Sequence, residues 1–234
     1  MKHSVKPLIF GLLITTMGVA TAQTENWYIG VSAGQSDFND WTTEDGITGL
    51  RDDFGATLGI VRYEGTQNMN VDDSDFGLKL FGGYSFNEYM AVELSYIDMG
   101  TVEAHSRVSG TFFDPIDNTL DGDLEAKAKA DIDAFSLDLN LSYPFAESVA
   151  VIGRIGFYDA DTKLNMNATS TISTDTFVYA KTESSSGLHY GLGLSFALTD
   201  AFALRAEWER LDSVEAHGEE IDVDLLSASF VYNF

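Results

Sequence analysis

The sequence predicts an all-β protein: an eight-stranded antiparallel transmembrane β-barrel with up-and-down meander topology. Three observations carry that expectation. Eight segments alternate apolar and polar residues with a period of two, the mark of strands with two different faces. Beyond the N-terminal segment no stretch approaches the roughly 18 consecutive apolar residues of a helical span. The connections between segments alternate strictly between short and long, as they do when a barrel has turns at one end and loops at the other.

The N-terminal segment reads as a leader. Lys2 and Lys6 precede an apolar run from Leu8 to Ala20, and Ala20-Thr21-Ala22 supplies a small-x-small cleavage pattern before Gln23. Cleavage after Ala22 divides the chain into a signal peptide (1–22) and a barrel domain (23–234). Removing the two lysines takes the formal charge from −24 to −26.

The strands follow in order. Trp27–Gln35 sets Trp27, Ile29, Val31 and Ala33 against Tyr28, Gly30, Ser32 and Gly34. Phe76–Phe86 sets Phe76, Leu78, Leu80 and Tyr84 against Gly77, Lys79, Phe81 and Ser85. Met90–Tyr96 opposes Val92 and Leu94 to Ala91, Glu93 and Ser95, and Ala134–Tyr143 opposes Phe135, Leu137 and Leu139 to Ser136, Asp138 and Asn140. In Val149–Tyr158 the faces are Val151, Ile155 and Phe157 against Ile152, Arg154 and Gly156. Leu188–Phe196 opposes Leu188, Tyr190, Leu192 and Leu194 to His189, Gly191, Gly193 and Ser195. Phe202–Arg210 opposes Leu204, Ala206 and Trp208 to Arg205, Glu207 and Glu209, and Asp224–Phe234 opposes Leu226, Ala228, Phe230, Tyr232 and Phe234 to Ser227, Ser229 and Val231.

A soluble β-sandwich also alternates, but it sends its charged face to water. Here the apolar faces are unbroken, and the polar faces hold small residues with one or two charges each. That combination suits lipid outside and the crowded lumen of a narrow barrel inside. Residues 86–89, 144–148 and 199–201 are short turns; 37–75, 98–133, 159–186 and 211–224 are the long connections, expected as surface loops. A ten-stranded barrel is the alternative if Phe54–Tyr63 or part of Val102–Ala130 inserts as a hairpin. Aromatics cluster near the short turns (Trp27, Tyr84, Phe86, Tyr143, Phe202, Tyr232), with a looser set nearer the long connections (Tyr96, Phe135, Tyr190, Trp208), as two membrane interfaces require.

At these residues the chain resembles the OmpA-like family of small outer-membrane β-barrels. The opening NWYIGVSAG, the turn and strand YSFNEYMAVELSYIDMG, the pair GLGLSFALTDAFALRAEWERLD and the ending SFVYNF carry the likeness over residues 26–234. It implies a Gram-negative outer membrane with both termini periplasmic, and a monomer with a role in envelope integrity and surface interaction. Its partners would be lipid, lipopolysaccharide and an extracellular ligand or host surface. The alternating Phe230, Tyr232 and Phe234 resemble the signal by which the barrel-assembly machinery recognises its clients. The sequence stops at the eighth strand, so a peptidoglycan-anchoring role is not carried over.

Composition excludes other classes. With 13 Lys and Arg against 37 Asp and Glu, binding to nucleic-acid phosphates is ruled out, and zero Cys removes thiolate metal sites, disulfides and a Cys nucleophile. No cofactor motif is present. By the alternation Lys79, Arg154 and Arg205 point inward with Glu93, Asp138, Glu207 and Glu209, and His189 joins them. Because buried charges must pair, these eight predict an ionic network that seals the lumen, with a narrow gated pore as the alternative. A lipid-modifying enzyme would need a His, Ser and acid arrangement; His105 and His217 lie in long connections and neither forms a recognisable one, although Ser106 and Glu103 flank His105. The long connections hold 29 of the 37 acidic residues, in runs such as Asp72-Asp73-Ser74-Asp75, 121–125 and 219–222. An EF-hand is not met: after Asp117, Thr119 and Asp121-Gly122 the twelfth position is Ala128. A solvated anionic surface is expected, with divalent bridging to lipopolysaccharide as the sharper alternative.

Overall fold

The computed structural model describes residues 26–39, 44–116, 118–216 and 219–234. The leader with Ala20, Ala22 and Gln23, and also Asp117 and His217, lie outside the described residues. The elements are β1 (Trp27–Asn39), α1 (Glu44–Thr57), β2 (Arg62–Asp72), β3 (Ser74–Asn87), β4 (Met90–Phe113), β5 (Thr119–Ala146), β6 (Val149–Ser170), β7 (Thr176–Ala197), β8 (Phe202–Ala216) and β9 (Glu219–Asn233). Eight strands close an antiparallel ring in the order β1-β3-β4-β5-β6-β7-β8-β9, with β9 returning to β1 through pairs such as Val31↔Phe230. β2 lies above β3 on the same edge of β4, and pairs only with the upper half of β4.

The long connections are mostly not loops. β4 has 24 residues and β5 has 28, and they pair from Met90↔Leu141 to Phe113↔Thr119. The segment 102–130 therefore lengthens two ring strands and adds none to the ring, while 54–63 ends α1 and begins β2. The reason is visible in the residues: Leu124-Glu125-Ala126-Lys127-Ala128-Lys129-Ala130-Asp131-Ile132-Asp133-Ala134 keeps the period of two.

The polarity of the faces inverts along β4, β5 and β6. On β5 the outward Leu141, Leu137 and Phe135 are exposed and apolar, and the inward Asn140, Asp138 and Ser136 are buried and polar. From Ala134 onward the inward residues Ala134, Ile132, Ala130, Ala128 and Ala126 are buried and apolar, and the outward ones are Asp133, Asp131, Lys129, Lys127 and Glu125. β6 switches between Phe157 and Asp159, and Phe135↔Asp159 are cross-strand partners, so the change falls at one level. Below that level the outside is lipid, which needs an apolar face; above it the outside is water, which needs charge and permits an apolar core within. Outward charges there pair across strands, Glu103 with Lys129, Arg107 with Asp123 at 2.9 Å and Lys163 with Asp133.

A β-bulge between Asp98 and Thr101 adjusts β4 at this boundary. It uses Gly100 at φ 80°, where an added Cβ would lie 2.6 Å from Asp75 Oδ2. The Asp75 carboxylate accepts the Thr101 N–H at 2.7 Å, and Asp98 accepts the Gly100 N–H at 2.9 Å. The bulge keeps Met99 and Val102 both facing inward, where they are fully buried.

α1 caps the far end from inside. Ile47, Arg51 and Phe54 recur at helical spacing and are buried against Ala104, Val108, Phe112, Leu124, Ala126 and Ala168. The helix ends in a Schellman pattern, with Gly59 N–H to Ala56 C=O and Ile60 N–H to Gly55 C=O, both 3.0 Å. Arg51 is fully buried and donates to Ser106 Oγ at 2.9 Å, to Asp52 at 2.6 Å and to Tyr63 Oη at 3.3 Å, which ties helix, β4 and β2 together.

Candidate functional site

The lumen is filled in three layers. Nearest the short turns, Tyr28 and Phe81 meet edge-to-face with ring centres 6.4 Å apart, beside Val231, Ala91 and Ala203. A cavity of about 360 Å³ opens at that end, lined in part by Asn26, Ser85, Asn87, Glu88 and Ser142. Tyr28, Asn140 and Arg205 also line it, so it ends against the charged layer above.

That middle layer brings together all eight inward ionisable residues, each on a strand face whose small neighbours leave room. Arg154 on β6 is its hub, with guanidinium nitrogens 2.9 Å from Glu93, 2.5 Å from Glu207, 3.2 Å from Glu209 and 3.6 Å from Asp138. Lys79 reaches Glu209 at 2.5 Å and Glu207 at 3.8 Å, and Arg205 reaches Glu93 at 3.0 Å. His189 Nδ1 lies 2.8 Å from Asp138. Its Nε2 is 3.2 Å from Glu209 but out of line for a hydrogen bond, so that contact is one of charge proximity. Four carboxylates face three permanent cations, and the layer balances when His189 carries a proton. Gly193 makes space here: a Cβ on it would lie 2.6 Å from Glu207 Cγ.

Neutral members complete the layer, and counting ionisable residues alone missed them. Tyr28 Oη donates to Glu93 at 3.0 Å, Asn140 Nδ2 donates to Glu93 at 2.9 Å, and Ser136 Oγ donates to Asp138 at 2.7 Å. All three occupy polar-face positions of the alternation, which is the signal that could have found them. Arg205 lies over the rings of Tyr28 and Phe81 at 4.9 and 5.4 Å.

Above the charges sits the largest apolar cluster, with Phe38, Ile97, Met99, Val102, Ile132, Tyr158, Leu164, Leu211, Val223 and Leu225 among its buried members. This layer was hidden in the sequence because most of its residues, Phe38, Met99, Val102, Ile132, Leu164, Leu211 and Val223 among them, fall in segments expected as loops. It runs on toward the far-end cluster closed by α1: Val71 and Met166 pack against both.

The remaining candidates lie elsewhere. Phe230, Tyr232 and Phe234 project outward near the short turns, where Phe202 stacks on Phe230 at 5.4 Å and Tyr232 meets Phe234 at 5.0 Å. His105 faces water and reaches Glu125 at 2.9 Å, whereas its neighbour Ser106 points inward to Arg51. Several acids of the long connections hold local partners: Asp123 accepts from Ser109 at 2.5 Å, and Asp222 and Asp224 hold Arg210 at 3.1 and 2.6 Å. Among the described residues no group of three or more His, Asp or Glu converges as a metal site. At the far tip, the hydrogen bond from Asn118 holds the Asp114 carboxyl below its usual range. Ser109 and Arg107 do the same for Asp123, and Lys127 for Glu125.

A closed eight-stranded ring with an apolar girdle and a charged lumen is what a small membrane barrel presents. The family model for the OmpA-like transmembrane domain matches residues 22–234. The chain belongs to that family. Outer membrane protein A of Shigella dysenteriae is 26% identical over 226 residues, covering 94% of this chain and 51% of the relative. Outer membrane protein P5 of Haemophilus influenzae is 26% identical over 219 residues, covering 91% of this chain and 52% of the relative. The chain thus spans about half the length of the curated relatives it matches. Among solved structures, OprG of Pseudomonas aeruginosa aligns at 16% identity and a TM-score of 0.43, over 90% of this chain and 97% of that one. This OmpA-like barrel is an outer-membrane protein.

Proposed function

We propose that this OmpA-like barrel is a sealed, non-enzymatic scaffold whose far end works outside the cell as a contact surface. The observation that carries the reading is the filled lumen, in which a layer of paired charges lies between two apolar ones. Both termini and the short turns face the periplasm in this reading. Lipid and lipopolysaccharide meet the apolar girdle, and the monomer presents a solvated anionic end to an extracellular ligand or host surface. Phe230, Tyr232 and Phe234 act as the signal read by the barrel-assembly machinery. Residues 1–22 serve as a leader removed at Ala22. The non-enzymatic part is supported by His105 and Ser106 lying on opposite faces of β4.

A gated pore is the second reading. It draws on the four carboxylates within reach of Arg154, which offer alternative partners for exchange. Such a gate would also have to part the apolar layer above it. Conductance of the refolded barrel across a planar bilayer decides between them. Silent membranes at saturating protein are the expected result, and stable single-channel steps would overturn the sealed reading.

A further inference from the structure

We propose that the open edge of β2 joins two copies of this chain across facing membranes. β2 pairs with β4 along its whole length, from Arg62↔Phe113 to Asp72↔Glu103, and among the described residues no strand lies on its other side. An open edge offers unpaired N–H and C=O groups as a template, and proteins usually blunt it with Lys, Pro, a bulge or shortness. β2 has none of these: it runs 11 residues in unbroken register without Lys or Pro, and Gly65–Asn70 is uncharged.

Charge selects the register and the occupant. Along an antiparallel edge every second residue offers its backbone groups, so a two-fold pairing must centre on one residue. Centring on Gln67 overlaps the full strand and sets Arg62 against Asp72 of the second copy at both ends. On the opposite face it sets Tyr63 against Val71 of the second copy. Opposite-charge and aromatic–β-branched pairs are favourable across strands. Moving the centre to Asn68 instead sets Glu64 against Asp72 of the second copy, a like-charge pair. The edge is therefore complementary to itself in the register that overlaps the full strand.

The symmetry also fixes the arrangement. β2 runs from the far tip at Arg62 down to Asp72, close above the bulge that marks the membrane level. The two-fold axis of an antiparallel pair is perpendicular to the strands, so the two barrels point in opposite directions. Neighbours in one membrane cannot pair this way, but molecules on facing membranes can. This rests on the far end being outside, as the proposed function has it.

The test uses the refolded barrel in zwitterionic lipid vesicles. Clustering is followed by light scattering, and protease shaving reports the fraction of far ends facing out. Outward-facing vesicles are expected to cluster. Gln67→Lys, which sets two like charges across the axis, Arg62→Asp and Asp72→Arg are each expected to slow clustering about tenfold, and the double exchange R62D/D72R to restore it to within about threefold. Wild-type vesicles that stay dispersed with far ends outward would overturn the proposal. So would a Gln67→Lys barrel that clusters like wild type, or a double exchange no better than the single changes. Heat-modifiable migration confirms that each variant is folded. Conductance reads the sealed lumen separately, so the two readings fail by different signals.

Discussion

Replacing Arg154 with Ala probes both the energetics and the sealing of the lumen. Arg154 contacts four buried carboxylates, three of them within 3.2 Å. Its removal leaves Glu93, Glu207, Glu209 and Asp138 facing Lys79, Arg205 and His189. Breaking a buried ion pair from one side costs about 3–5 kcal/mol, because the remaining charge is desolvated and uncompensated. That is a loss of roughly two to three and a half orders of magnitude in the folding equilibrium. Lys129→Ala is the control, since its exposed partner Glu103 makes a surface pair worth about 0–1 kcal/mol. Urea titration of the refolded barrel in micelles, followed by band shift on cold gels, measures both. The same variant is expected to remain non-conducting, because the apolar layer from Phe38 to Leu225 lies across the path above the charges. An Arg154→Ala barrel within about 1 kcal/mol of wild type would refute the network energetics. A conducting one would show that the charges, and not the apolar layer, close the lumen.

Three further outcomes are expected. Gly100→Ala should destabilise the barrel by about 1–2 kcal/mol, since φ is 80° and the new Cβ meets Asp75; denaturant midpoints check it. Phe54→Ala should cost the far end about 3–5 kcal/mol and raise trypsin cleavage at Arg51, which is fully buried against β4 and β2, while heat-modifiability of the membrane part persists. Asp114, Asp123 and Glu125 have lowered folded-state values, so their contribution is complete above the ordinary carboxylate range near about pH 4 and is lost as pH falls through their lower folded values. Hydrogen exchange of the 109–125 backbone should accelerate below that range; a flat profile down to pH 2 or so would contradict the assignment.

The residues explain which features were readable. Eight strands were legible because Leu137, Leu139 and Leu141 alternate with Ser136, Asp138 and Asn140, and the inward set from Lys79 to Glu209 follows from that parity alone. The extended upper walls read as loops in the sequence because charge is common both to loops and to the water-facing side of a strand. Glu125, Lys127 and Lys129 are outward members of a strand whose inward partners are Ala and Leu. α1 was not foreseen: its apolar face is three residues deep, and three glycines and four acids dilute the pattern. Tyr28, Asn140 and Ser136 had the right parity but no formal charge, so nothing local marked them as partners of Glu93 and Asp138.

The amino-acid order alone decided the strand period, the lipid-facing girdle and which side chains share the lumen, because side chains on a strand alternate faces whatever the strand pairs with. The closed ring decided the rest. Which carboxylate meets Arg154, where the faces change polarity and where α1 docks depend on register between strands that are distant in the chain. β2 with its open edge has the same cause. At that height β4 pairs with β2, where nearer the membrane it pairs with β3, and no local pattern in 62–72 specifies which edge is left unpaired.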